Sequence, residues 1–555
     1  MGLGFFKGTV HTTEKMFFAG NENVLDIDKV SFTYEEAITA CGAFFAIFSR
    51  NNGEAFSVLN DFHGFKHLFW SSAVSGKLLV SDNIVALSQS LSELGVSPEI
   101  CSEIAYAQFA SFNALLNQRN FSTQTLHKHI SLLRPDQELY ISETGVTLRQ
   151  RPTLVDPEDC DYDTLIHAGV ERGAKMMRSA RKLDIADEVL YLSGGRDSRN
   201  VLALAIAADV HREIPVLAKQ PPELHSGLNE KLSIDRALAG MLIEEFNLSL
   251  WENRFARRLP EPSKALESWV SHSIGINADL NSTVEVFTEP SMSFIGAMGE
   301  NYRTKVPDYV DRLNLDLKFT PESKESDFDA FFEKICLKFP QSEPGVYEKT
   351  KELFYDSIFC VNSPTLWEGL DVFSELFRMP GHFSTVAYDW PRNSWPVNIL
   401  GIPEFAYAAS LLSREERADG KVWKDINSNV DPRLNSIPFE FSVNANFAAS
   451  LPSNIDWASL DARHKEYEQK NSGYSFEELR SLSTLNLQPR ILSHMRQHAE
   501  ILAGIVGIPR LKHLESRILQ WNIHIRRFAG IMELLHQLVL NDPPFATQKV
   551  VIGTV

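Results

Sequence analysis

The stretch EVLYLSGGRDSRNVLALA, residues 188–205, limits the possible folds more than any other part of the chain. The apolar run Val189–Leu192 is bounded at once by glycine, and its length suits a buried strand. Gly194 and Gly195 permit a tight turn and let the backbone approach a ligand. A helix is predicted to start at Asp197 or Ser198. A helix N-terminus offers free N–H groups and the positive end of a dipole, which suits an anion such as phosphate. Ser193 and Ser198 can add hydroxyl donors, and Arg196 and Arg199 can offset further negative charge. Asp197 would repel a bare phosphate but can hold Mg²⁺, which bridges to phosphate oxygens. A bare Gly-Gly turn reads as an N-capped helix with no ligand. The whole Ser-Gly-Gly-Arg-Asp-Ser hexad favours phosphate. It is neither the GxGxxG dinucleotide turn nor the GxxxxGK[ST] loop, because no lysine follows it.

A chain of 555 residues is too long for one core, so two or more domains are expected. Residues 1–152 read as mostly strand. CGAFFAIFSRNNGEAFSVLNDF carries a hairpin signal at Asn51–Gly53, and SGKLLVSDN and QELYISETGVTLRQ read as further strands. Residues 153–161, rich in proline and acid, form the predicted linker. From residue 162 to 555, helical and apolar-strand patterns alternate as in a doubly wound α/β domain, and the stretch from about 475 to 541 is a helical tail. No internal repeat is found.

Fifty-four basic residues against 72 acidic ones give a net charge of −18, which argues against a nucleic-acid partner. Five scattered cysteines, none in CxxC spacing, suggest neither a zinc site nor a redox pair, and fit a reducing compartment. No apolar run approaches the ~20 residues of a membrane span. The start MGLGFFKG lacks signal-peptide features, so the cytoplasm is the expected location and no membrane partner is expected.

Ser193–Ser198 resembles the SGGxDS pyrophosphate loop of the ATP pyrophosphatases, and within them the chain looks most like the asparagine synthetase superfamily. Four further stretches carry the resemblance: GFKHLFWSSAVSGKLLVSDNIVALSQS after Asp61, LLRPDQELYI, LSIDRALAGMLIEEFNL and FIGAMGENYR. The last stands where the family has its SGxGxDE loop. The resemblance implies an α/β fold class: an N-terminal Ntn-hydrolase-like (glutaminase-like) sandwich, then a doubly wound PP-loop ATP pyrophosphatase domain with a helical tail. It implies ATP and Mg²⁺ as cofactors. Asp197 and Glu300 would hold the metal, Ser193 to Ser198 would cradle pyrophosphate, and backbone near Leu192 and Leu217 would hold adenine, with IPVLAK (214–219) as the second strand. Gly296 opens the second loop, and Arg303 and Lys305 are equally open to a phosphate-facing or a solvated role. The family's late catalytic lysine maps to Lys421 or Lys424, though a lone helical lysine is more often solvated. Arg378 and Arg392 are candidates for carboxylate or phosphate, His382 and Tyr388 for a base, and Asp235 for a helix cap or ion pair.

Four departures narrow this expectation. Gly2 stands where family amidotransferases carry their nucleophilic cysteine, and no glutamine-positioning segment is found. Residues 1–152 therefore read as a degenerate glutaminase-like domain. Ala297 replaces the acid/base residue of both asparagine synthetases and β-lactam synthetases, and Met298 replaces a small residue. What remains resembles the glutamine-independent amide synthetases, such as β-lactam synthetases and lasso-peptide macrolactam cyclases. The expected activity is ATP-dependent, AMP-forming ligation of a small-molecule or peptide carboxylate to an amine, in peptide modification or natural-product biosynthesis. A leader-binding or pathway protein is a possible partner. The alternatives are an ammonia-using amidating enzyme, a degenerate nucleotide-binding scaffold and, against the missing CxxC pairs, a sulfur-transfer enzyme.

Overall fold

The computed structural model describes residues 2–12, 16–19, 32–110, 120–152, 160–182, 187–218, 226–251, 255–258, 284–287, 291–303, 310, 313–339, 342–383, 394–444, 454–472, 487–519, 523–540 and 551–554. The fold is mixed α/β with several sheets.

The N-terminal region contains two antiparallel sheets. The first has the order β2-β1-β3-β4-β8-β9, from β1 (Gly2–His11), β2 (Met16–Ala19), β3 (Cys41–Arg50), β4 (Ala55–Asn60), β8 (Gln137–Ser142) and β9 (Gly145–Gln150). The second contains β5 (Phe69–Ser71), β6 (Lys77–Ser81) and β7 (Ser131–Leu132), and β16 (Val551–Thr554) pairs with its edge at β6. Side chains alternate across each strand and so feed two cores. From β3, Phe44, Ala46 and Phe48 join Phe6, Phe32 and Leu59, while Phe45 packs with Val58, Leu78, Val80 and Leu139 between the sheets. The β3–β4 hairpin turns at Asn51–Gly53, where all three residues have positive φ, as the Asn-Asn-Gly signal predicts.

Residues 1–152 are less uniformly strand than expected. Helices Ile84–Glu93 and Ser102–Ala110 lie within them. Asn83 caps the first by accepting from the Val85 and Ala86 amides, and Ile84, Leu87 and Leu91 form its apolar stripe. Both helices share one core with Lys324–Ile335, Val346–Ile358, Leu366–Phe373 and the tail helices Leu487–Gln497 to Ile523–Leu540. Most of the predicted linker lies outside the described residues.

The second region is centred on a parallel sheet. Its strands are β10 (Asp187–Leu192), β11 (Val216–Ala218), β14 (Ser291–Ile295) and β15 (Ser394–Asn398), in the order β11-β10-β14-β15. An antiparallel pair, β12 (Phe255–Arg258) and β13 (Val284–Phe287), stands apart. Helices Tyr162–Ala180, Arg196–Ala207, Ser226–Glu245, Pro403–Ser410 and Lys421–Val430 contribute to the core that contains these strands. After β10 the chain moves to one side of the sheet for β11, then back to the other side for β14. The direction of winding therefore reverses between β10 and β14, and the crevice at the C-terminal ends of such strands is where open α/β sheets bind ligands.

No helix among the described residues is long and apolar enough to cross a membrane.

Candidate functional site

Two loops leave the sheet at that reversal. The first follows Leu192, which is buried and paired with Ala218. Gly195 (φ −74°, ψ 165°) caps the helix Arg196–Ala207, which starts one residue earlier than predicted. Neither Gly194 nor Gly195 has positive φ, so the glycines are not there to permit a left-handed turn. Gly194 provides room instead. A Cβ there would lie 2.7 Å from the Leu238 Cβ and 3.1 Å from the Asp235 carbonyl oxygen, so only glycine lets the turn rest on helix Ser226–Glu245.

The two serines shape the loop. Ser198 Oγ lies 3.0 Å from both the amide nitrogen and the hydroxyl of Ser193, and Gly195 N–H donates to Ser193 Oγ at 3.1 Å. Arg199 does not face a ligand. It is fully buried and donates to the carbonyls of Gly194, Leu434, Ile437 and Pro438 at 2.6–3.2 Å, with its guanidinium 3.8 Å from the Phe439 ring centre. Arg199 thereby clamps the strap 434–439 to the loop, and burial lowers its pKa to about 10. Beyond the strap, the Arg196 guanidinium sits 4.2 Å from the Phe441 ring and 5.3 Å from Trp423, and Phe441 is 57% exposed. Asp235 is not a helix cap. Burial and the nearby Glu440 raise its carboxyl to about 6, and the Gly194 N–H acts the other way.

The second loop follows β14 and touches the first at Asp197. A Cβ on Gly296 would lie 2.9 Å from the Asp197 carbonyl oxygen, and one on Gly299 would lie 2.6 Å from its carboxyl carbon. The glycine spacing of FIGAMGENYR is thus what lets the second loop close over Asp197. Met298 between them has φ 78° and ψ −13°, a left-handed conformation that is rare for a bulky residue. Its fully buried side chain packs with Phe65, Ala297 and Met379. The atypical residues at 297 and 298 therefore form a contact with the N-terminal region. Asp61 shapes the Phe65 turn by accepting from the His63, Phe65 and Lys66 amides at 2.8–3.2 Å.

Glu300 follows directly. Its Oε2 accepts from Arg378 Nη1 at 3.1 Å, and its Oε1 lies 3.9 Å from Arg303 Nη2. Arg378 ends a π-helical turn, Ser374–Arg378, a local widening of the helix often found at functional sites. Tyr302 closes the loop, fully buried, with its hydroxyl donating to the Leu400 carbonyl.

The two predicted lysines stand on helix Lys421–Val430. Lys421 pairs with Asp425 at 2.7 Å and lies over Tyr162, and Lys424 pairs with Asp419 at 2.6 Å. With side chains 36% and 40% exposed, both make surface ion pairs, Lys421 within its own helix and Lys424 to the helix before it. Leu217 is buried with Val189, Tyr191 and Trp251, and its backbone lies beside Tyr191 in the sheet. His382 meets the Phe383 ring edge-to-face. Lys219, Lys305, Tyr388 and Arg392 lie outside the described residues. Among the described residues, no three His, Cys, Asp or Glu side chains gather as a metal centre would need. A polar cavity of about 390 Å³ lies away from both loops, between the N-terminal region and helix Tyr162–Ala180, lined by residues such as Glu36, Arg172 and Glu404.

Glu440, Phe441, Trp423 and Phe65 were not anticipated. The cluster of aromatic residues around PFEF, 438–441, is the only sequence signal for the strap. No protein-family model matches the chain, and no curated protein matches it.

Proposed function

We propose that this chain is an ATP-dependent, AMP-forming amide ligase that works without glutamine, with an Ntn-hydrolase-like N-terminal sandwich and a PP-loop synthetase domain. The observation that supports this most is the contact of two loops at Asp197, at the winding reversal of a parallel sheet. The glycines at 194, 296 and 299 let the first loop rest on helix Ser226–Glu245 and the second loop close against Asp197, which a side chain at any of the three would prevent. Helix Arg196–Ala207 directs its N-terminus at the same place, suited to a polyphosphate.

In this reading a substrate carboxylate oxygen attacks the α-phosphorus of ATP and pyrophosphate leaves. An amine nitrogen then attacks the acyl carbon, loses a proton to a base, and AMP leaves. The Ser193–Ser198 loop binds the departing pyrophosphate, already shaped by its own hydrogen bonds. Asp197 is the carboxylate positioned to hold Mg²⁺, whose chemistry here would be to neutralise phosphate charge. Strand backbone at Leu192 and Leu217 would take adenine. A carbonyl-rich strap held by Arg199 keeps the loop from shifting as charge moves.

One observation favours a second reading, a nucleotide-binding scaffold: Glu300 is ion-paired with Arg378. ATP–pyrophosphate exchange with Mg²⁺, against pools of carboxylates and peptides, separates the two. Exchange dependent on one substrate supports the ligase. ATP binding with no exchange from any pool supports the scaffold.

A further inference from the structure

Binding a polyphosphate needs cationic groups that reach the loop, and few of the described residues supply one. Arg199 is committed to four backbone carbonyls, Lys421 to Asp425 on its own helix, and Lys424 to Asp419 at the end of the preceding one. Arg196 rests on Phe441 and Trp423. Among the described residues, Arg378 and Arg303 are the cations that Glu300 holds at the second loop, the loop that touches Asp197. Glu300 follows Gly299, the residue that touches the Asp197 carboxyl. Carboxylate and phosphate present the same paired acceptors to a guanidinium, which makes bidentate bonds with either. The Arg378 side chain is 5% exposed and that of Glu300 17%, so the Arg378 charge, the more buried of the two, cannot give up its partner without a replacement. An incoming phosphate offers a replacement partner.

We infer that Arg378 and Arg303 are the polyphosphate-binding cations of this site, and that Glu300 is their counter-ion in the ligand-free chain rather than a metal ligand. Phosphate oxygens exchange with Glu300 on the guanidiniums, and Asp197 alone supplies the metal-binding carboxylate. This rests on the reading of Ser193–Ser198 as a phosphate loop.

The test is calorimetric binding of pyrophosphate to the full chain, with and without Mg²⁺, together with Mn²⁺ stoichiometry by electron paramagnetic resonance in the presence of pyrophosphate. Wild type is expected to bind. Arg378→Gln should weaken pyrophosphate at least tenfold, and Glu300→Gln should leave binding equal or tighter with Mn²⁺ stoichiometry unchanged. Asp197→Asn should lose the metal dependence. Because one half of a buried ion pair left alone can unfold a protein, the double variant Arg378→Gln/Glu300→Gln serves as the folded control. It should melt near wild type yet bind as weakly as Arg378→Gln. The inference is overturned if the double variant binds pyrophosphate like wild type, or if Glu300→Gln loses Mn²⁺ as Asp197→Asn does. Wild type that binds neither pyrophosphate nor ATP overturns the loop reading itself, and the inference with it.

Discussion

The two loops that meet at Asp197 are held in shape by different means. The first, Ser193–Ser198, takes part of its shape from two serines bonded to each other, while Gly194 rests on helix Ser226–Glu245 and Arg199, just beyond the loop, ties it to the strap 434–439. The second, Gly296–Tyr302, is fixed by residues distant in sequence: Phe65 from the N-terminal region, Arg378 at the end of the π-turn, Met379 just after it, and Leu400 after β15. A loop of the first kind can be recognised from six consecutive letters. A loop of the second kind depends on the rest of the fold, so its residues can vary where their distant partners vary too.

The largest effect should come from the residue both loops share. Asp197→Ala is expected to lower Mg²⁺-dependent exchange by about a hundredfold or more, as loss of one well-placed charge-stabilising group does. If turnover persists, the two loops do not form one site. Next is the clamp on the first loop. Arg199→Met leaves four carbonyls without their donor and should cost about 3 kcal/mol or more, read as a fall in melting temperature.

The second loop should respond to substitutions far from it in sequence. Phe65→Ala and Met298→Ala should each cost about 2–4 kcal/mol through the cavity left behind. The pair together should cost less than the sum, with a coupling of about 0.5–2 kcal/mol in a double-mutant cycle of urea unfolding. Strict additivity would mean that the N-terminal region does not support this loop.

A smaller, pH-dependent effect sharpens the picture of the first loop. Asp235 is raised from 3.8 to about 6 in the folded chain, by burial first and then by Glu440. Between those values the folded chain holds a proton that the unfolded chain has released, so stability falls as pH rises from about 4 to 6. Asp235→Asn should flatten that part of the stability profile. An unchanged slope would show that the carboxyl titrates normally. The smallest effect belongs outside both loops: Lys421→Ala and Lys424→Ala should each change stability by less than about 0.5 kcal/mol and leave pyrophosphate binding unaltered.

These differences explain what could be read from the sequence. The strand before residue 193, the helix after it and the Asn51–Gly53 hairpin all follow from short-range rules, and all are present, the helix one residue early. The helices at 84–93 and 102–110 were missed because the turn-rich strands around them dominated the reading of that region. The neighbourhood of Glu300 was visible, but its ion pair was not, because Arg378 lies many residues away and only the π-turn presents it. The purpose of Met298 was hidden for the same reason: its partner Phe65 belongs to the other half of the molecule.

The pairing of β16 with β6 has a consequence for biosynthesis. A ribosome releases residues 77–81 hundreds of residues before 551–554. Throughout that interval the outer edge of the second sheet lacks its final strand, and an open strand edge is a template for pairing with the wrong chain. The helices of the tail, which pack on the same N-terminal core, also arrive late. The half of the protein made first therefore waits longest to be finished, and nascent chains released early are expected to need a chaperone at that edge.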